Sequence, residues 1–183
     1  MFKFYDTPIE GLKVIEPFYF EDNRGVLKKS FEKNIFAQNG IYINPVEEIE
    51  TTSKKGVLRG LHLQLQYSQA KLLRVVRGKI FDVAVDLRKE SKTFGQWYSI
   101  YLSAENKKML YIPSGFAHGC LSMQEDTTFY YLCSEAYHPE FDSGIIWKDE
   151  DLCINWPSDM LDKIIVSEKD QRLLKFSQLK SLL

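Results

Sequence analysis

"GVLRGLHLQLQ", residues 56–66, alternates apolar and polar side chains: Leu61, Leu63 and Leu65 fall on one face of an extended strand, and His62, Gln64 and Gln66 on the other. Carried backward unbroken, the alternation would set Arg59 on the leucine face and bury an unpaired guanidinium there. A β-bulge at or next to Gly60 removes the conflict by turning Arg59 to the side of His62, and such bulges occur beside active sites. A face of His, Gln and Arg cannot be a dry core, because each group would need a partner out of water. The stretch therefore predicts a strand with one packed face and one face lining a cavity.

The surrounding chain is cut into short pieces by turn signals. "EDNRG" (21–25) precedes "VLKKSF", and "RGK" (77–79) leads into "IFDVAVDLR", where Phe81, Val83, Val85 and Leu87 alternate with Asp82, Ala84 and Asp86 as in a strand with one core face. "QWYSIYLS" (96–103) and "TTFYYLCSEAY" (127–137) are further strand candidates, separated by "SAENKKM" and "IPSGFAHG". Many strands at this spacing predict a mainly β sandwich or barrel, of which the double-sheet jelly roll is one form. Helix is expected only at the end, from Glu168 to Leu182, where Leu173, Leu174, Phe176, Leu179 and Leu182 form a stripe after Ser167 as N-cap.

The 183 residues suit one domain, 1–183, large enough to bury a core, and no repeat or linker-like tract divides it. With 24 basic against 25 acidic residues there is no overall field to recruit nucleic acid or a membrane surface, so an anionic ligand must be held by local charges. No apolar run approaches the ~18 residues needed to span a bilayer, and the first residues lack a signal-like apolar stretch. The chain is accordingly expected to be soluble and cytoplasmic. Cys120, Cys133 and Cys153 are odd in number and form no C-x-x-C pair, which fits ordinary reduced thiols.

"IPSGFAHG" (112–119) contains P-x-G-x-x-H ending at His118, which resembles the second motif of the cupin superfamily, β-barrels with an interior active site. Metal-binding cupins supply H-x-H and a later Glu; this chain offers H-x-Q and three histidines in all, His62, His118 and His138. A first-row metal would lack its usual imidazoles, so no metal is expected.

The run "KKGVLRGLHLQ", followed in order by "QAKLLRVVRGKIFDVAVDLRKESKTFGQW", "LSAENKKMLYIPSGFAHGC", "GIIWKDEDLCINWP" and "SEKD", resembles the deoxysugar-nucleotide 3,5-epimerases, typified by dTDP-4-dehydrorhamnose 3,5-epimerase, over about residues 20–171. The resemblance implies a cupin-type double-stranded β-helix, or jelly-roll barrel, working as a homodimer without a cofactor on a nucleoside-diphosphate 4-keto-6-deoxyhexose. The residues suit that chemistry. A carbon beside a ketone is acidified by the carbonyl, and a histidine, with an ordinary pKa of ~6.5, suits removal of its proton. The family's base matches His62 and its carboxylate partner Asp170, which as a first-turn helix residue also suits the helix dipole. Inversion returns the proton to the opposite face, and the family's acid matches Tyr131, which by composition alone would read as core packing.

Lys71 takes the family's position for stabilising the enolate oxygen, assisted by Arg59 and His118. Arg24 and Lys169 match contacts to the nucleotide portion, although composition alone would make them surface charge. The chain departs from the dTDP-specific pattern at Lys29, at Glu47 and Ile49 of "EEI", and at Asp142 of "DSGI", all in the nucleotide-binding part. These leave open an epimerase for another NDP-4-keto sugar, linked to GDP, CDP or UDP. A non-catalytic sugar-nucleotide-binding cupin and a metal-dependent cupin are the readings from other classes.

Overall fold

The computed structural model describes residues 1–183. Its strands are β1 (Lys3–Asp6), β2 (Lys13–Glu16), β3 (Phe18–Asp22), β4 (Gly25–Lys29), β5 (Glu47–Ser53), β6 (Val57–Gln64), β7 (Lys71–Arg77), β8 (Lys79–Asp86), β9 (Trp97–Ser103), β10 (Met109–Ile112), β11 (Phe116–Ser122), β12 (Thr127–Cys133), β13 (Asp142–Gly144) and β14 (Ile165–Val166). Three short α-helices accompany them: α1 (Lys33–Gln38), α2 (Glu168–Gln171) and α3 (Phe176–Leu179). One sheet runs β1-β2-β10-β7-β12-β5 and a second runs β13-β6-β11-β8-β9, with β14 alongside β6; β3 and β4 form a separate two-stranded ribbon. This is the mainly β jelly-roll arrangement expected from the spacing of turns.

The two sheets face each other across an apolar cluster that includes Leu73, Val75, Ala84, Leu110, Phe116 and Phe129. Each sheet is also covered on its outer face. Phe36 of α1 packs with Phe2, Ile15, Leu72 and Met109 on the first sheet, and Ile145, Leu152, Trp156, Met160 and Leu179 cover the second. The leucine face of β6 belongs to this outer layer: Leu61 and Leu63 lie under the C-terminal segment, so the barrel interior receives the polar face. Trp97 Nε1 donates to Leu152 O at 2.8 Å and Trp156 Nε1 to Trp147 O at 2.8 Å, satisfying both indoles while fastening that segment.

Two sequence expectations need correction. β8 does not have a single core face, because Phe81, Val83 and Val85 pack in the outer layer while Asp82, Ala84 and Asp86 are buried on the inner side. Alternation marks only the apolar side as core; the opposite sheet closes over the polar side as well. The C-terminal helix is also two short helices. Between them Leu174 bridges Ile145, and its carbonyl accepts Ile146 N–H at 2.8 Å, so chain pairing displaces helical bonding there. Ser167 does cap α2, its Oγ accepting Asp170 N–H at 3.0 Å.

The bulge is where the alternation conflict put it. His62 pairs with His118 and Arg59 with Cys120, so three steps along β6 match two along β11. Directly opposed residues share a face, and His118 and Cys120 are two apart, which puts Arg59 on the His62 side. Gly60 sits in the bulge with φ +106°, and a Cβ there would lie 2.5 Å from His118 O and 2.6 Å from Gly119 Cα. Gly60→Ala is therefore expected to lower stability by at least ~2 kcal/mol in chemical denaturation.

Asp86, fully buried, accepts from Arg88 Nε at 2.9 Å, Ser91 Oγ at 2.5 Å and Thr93 Oγ1 at 2.7 Å. Burial pushes its carboxyl up, but these partners outweigh burial and bring it down to about 2. A folded-state pKa below the unfolded value of ~3.9 makes the stabilisation complete above the unfolded value and loses it as pH falls toward the folded one. Asp86→Asn is expected to remove about 2 kcal/mol of the stability change between pH 5 and pH 2, read from denaturation midpoints across that range.

Candidate active site

A cavity of about 310 Å³ opens between the sheets, lined by His62 of β6, Lys71 of β7, Tyr131 of β12 and Glu47 and Ile49 of β5. Phe116 closes one wall, and Ser68, Gln69, Tyr137, Asp142 and Lys169 frame the rim. The apolar inter-sheet cluster holds the barrel shut at the other end, so the polar face of β6 meets a wet compartment.

His62 is held from behind. Its Nε2 lies 2.8 Å from Asp170 Oδ1, and Asp170 Oδ2 accepts the Gly60 N–H at 3.0 Å. Asp170 is only 4% exposed. Burial pushes its carboxyl up; the His62 bond and charge, the Gly60 amide and the Ser167 hydroxyl together hold it below its ordinary value. An ionised Asp170 accepts a hydrogen bond from His62 Nε2–H, which leaves the Nδ1 lone pair of a neutral His62 free for a ligand.

Tyr131 stands on the opposite sheet. Burial pushes its phenol up to about 12, with Cys120 and Cys133 adding to the shift and Thr51 and the Arg59 charge opposing it. The group is thus a phenol, not a phenolate, at neutral pH. Lys71 Nζ lies 5.7 Å from the centroid of the Tyr131 ring. Burial lowers the pKa of the half-buried Lys71 ammonium. His118 meets the Tyr131 ring edge-on with centroids 6.4 Å apart, and its Nε2 lies 2.9 Å from Asp82 Oδ2. Arg59 Nε donates to Ser53 Oγ across the barrel at 3.2 Å. Neither His118 nor Arg59 lines the cavity itself; they stand against its Tyr131 wall.

At the rim Asp142 Oδ2 accepts from both Lys169 Nζ and Tyr137 Oη, the latter at 2.7 Å. Glu47 accepts from Gln69 Nε2 at 3.2 Å and from Tyr137 N–H at 3.3 Å. Arg24 and Lys29 are not brought here. They lie on the β3–β4 ribbon, where Arg24 pairs with Asp22 and Lys29 with Glu32, outside the residues lining the cavity. The three histidines do not converge: each has its own carboxylate, Asp170, Asp82 or Glu140, and no three His, Cys, Asp or Glu side chains gather as a ligand set.

Sequence reasoning missed Ser68, Gln69, Phe116 and Tyr137. They reach the cavity from connections or a strand end, where no periodicity marks a face; the polar "YSQ" and the aromatic in "AYHPE" were the available signals.

The chain resembles known proteins along nearly its whole length. The family model described as dTDP-4-dehydrorhamnose 3,5-epimerase matches residues 6–178. The dTDP-4-dehydrorhamnose 3,5-epimerase of Methanothermobacter thermautotrophicus is 49% identical over 170 residues, covering 93% of this chain and 92% of that protein. The Escherichia coli enzyme of the same name is 43% identical, with 94% of each covered. A crystal structure of dTDP-6-deoxy-D-glucose-3,5-epimerase from Legionella pneumophila, in complex with dTDP-4-keto-L-rhamnose, superposes with a TM-score of 0.95 at 40% identity, covering 100% of this chain and 97% of that one. With a buried carboxylate behind a cavity histidine and a phenol on the facing sheet, in a jelly roll matched along nearly its whole length, the chain belongs to the dTDP-4-dehydrorhamnose 3,5-epimerase family of isomerases.

Proposed function

We propose that this chain inverts C3 and C5 of a dTDP-linked 4-keto-6-deoxyhexose, converting dTDP-4-dehydro-6-deoxy-D-glucose to dTDP-4-dehydro-L-rhamnose. The observation that carries the reading is His62, backed by Asp170 at 2.8 Å, sharing one cavity with the protonated Tyr131 of the opposite sheet. His62 Nδ1 takes the proton from the carbon next to the ketone, and Asp170 stabilises the imidazolium that forms. The electron pair moves onto the ketone oxygen as an enolate, where Lys71 supplies positive charge, with Arg59 and His118 supporting that wall. The enolate collapses by taking a proton from Tyr131 Oη on the other face. Exchange with water then reprotonates Tyr131 and clears His62, and the sequence repeats at the second carbon. The ketone is the only electron sink needed, so the cycle requires no cofactor.

The rim suits the nucleotide portion. Lys169 offers an ammonium to a phosphate, and the exposed Tyr137 ring offers a face to a base. Glu47, Ile49 and Asp142 line the same part of the cavity and set which base and sugar are accepted. Within one chain Lys169 is already paired with Asp142, so a diphosphate calls for a further cation. The β3–β4 ribbon exposes Tyr19, Phe20, Val26 and Leu27, the last 65% exposed, and bears Arg24 at its turn. A homodimer that covers this ribbon and lends Arg24 to the neighbouring cavity meets both needs.

Incubation with the dTDP sugar in heavy water should place deuterium at C3 and C5, at rates above those for GDP-, CDP- or UDP-linked analogues. His62→Asn should slow incorporation by about 10³-fold. Tyr131→Phe should keep proton wash-out but lose inversion. Deuterium incorporation at the wild-type rate in the His62 variant would end this assignment. For the dimer, Arg24→Ala and His62→Asn chains, each nearly inactive alone, should on mixing recover about a quarter of wild-type activity through shared sites; no recovery means that Arg24 serves its own chain or none.

A further inference from the structure

Gln64 follows His62 by two residues on the same face of β6 and borders the cavity, yet the residue is only 5% exposed. A buried primary amide carries two N–H donors and an acceptor oxygen, all of which need partners. Here every partner is backbone. Nε2 donates to Tyr67 O at 2.8 Å and to Ala136 O at 3.1 Å, while Oε1 accepts His138 N–H at 2.6 Å. One amide thus joins the turn after β6 to the segment after β12, gripping that segment on both sides of Tyr137.

The contacts around this clamp all bear on the rim. Tyr67 and His138, whose backbones Gln64 holds, stack with ring centroids 4.4 Å apart, and Phe141 packs on Tyr67 at 5.5 Å. Tyr67 is held at φ +54°, a conformation that a non-glycine residue keeps only when its surroundings impose it. Gln69 adds a second tie, donating to Glu135 O at 2.8 Å. Tyr137, between the two gripped residues, in turn bonds Asp142 through its hydroxyl and Glu47 through its N–H.

We infer that Gln64 is a positioning residue: through its three backbone hydrogen bonds it holds Tyr137, and with it the Glu47 and Asp142 carboxylates, in the arrangement that receives the nucleotide end of the substrate. It acts on binding, not on proton transfer, since none of its polar atoms bonds His62, Asp170, Lys71 or Tyr131. The inference rests on the reading of this cavity as the catalytic site.

Gln64→Glu keeps the shape and the acceptor for His138 N–H but turns an oxygen toward two carbonyls. KM for the dTDP sugar should rise about tenfold, while kcat falls by no more than about threefold. Tyr137→Ala should raise KM as well, and the double variant should show less than the product of the two effects, because Gln64 works through Tyr137. Peptides covering residues 134–142 should exchange amide hydrogen faster in Gln64→Glu, with those of β9 unchanged. Gln64→Met, which removes all three bonds without adding charge, supplies the same comparisons if the glutamate variant does not fold. Unchanged exchange in 134–142, an unchanged KM, or KM effects that multiply would each overturn the proposal. Failure of the wild type to turn over any nucleotide sugar would count against the catalytic reading alone, and the exchange experiment would still decide the role of Gln64.

Discussion

The Asp170 carboxylate does two things at once: one oxygen receives the His62 imidazole and the other the amide of Gly60 in the bulge. A buried carboxylate is tolerated only when its lone pairs are used; these two bonds use them, while the Ser167 hydroxyl takes the Asp170 backbone N–H at the turn. The same contact joins the C-terminal segment to the strand of the barrel that carries His62, the proposed base. His62 thereby gains an oriented ring, a set tautomer and a counter-charge from a residue more than a hundred positions away.

That contact depends on how the last part of the chain docks. Trp156, Met160 and Leu179 bury themselves against Leu61, Leu63 and Val83, and Leu174 bridges Ile145. Apolar burial on the outside of the second sheet thus delivers a carboxylate to the inside of β6. The two faces of the "LHLQ" alternation have separate duties, one anchoring the segment that brings Asp170 and the other presenting the imidazole that Asp170 orients.

Two of the basic groups at the cavity, and one behind its wall, are paired with a carboxylate, while Glu47 is held by neutral donors only. His62 has Asp170, Lys169 has Asp142, and His118 behind the wall has Asp82. Lys71 has no carboxylate within ion-pair distance and stands over a phenol. In a half-buried site such an ammonium is disfavoured until negative charge appears beside it, which is the condition that the proposed role of Lys71 at an enolate requires.

Alternation alone separated the two faces of β6, and the misfit of Arg59 within it located the bulge, because a period of two and the cost of burying a lone guanidinium are local matters. The order of motifs along the chain also carries the family resemblance. Other features lie beyond any local pattern. Whether the polar side of β8 meets water or protein depends on the facing sheet, and whether residues 172–175 continue a helix depends on Ile145, far away in sequence. Tyr137 and Gln69 reach the cavity on connections that carry no periodicity. Arg24 shows the same limit from the other side, since its residue type suits a phosphate while the fold of one chain leaves it on an exposed ribbon. Local sequence determines which way a side chain leaves its strand; what it meets there is decided by long-range packing, which only the folded chain specifies.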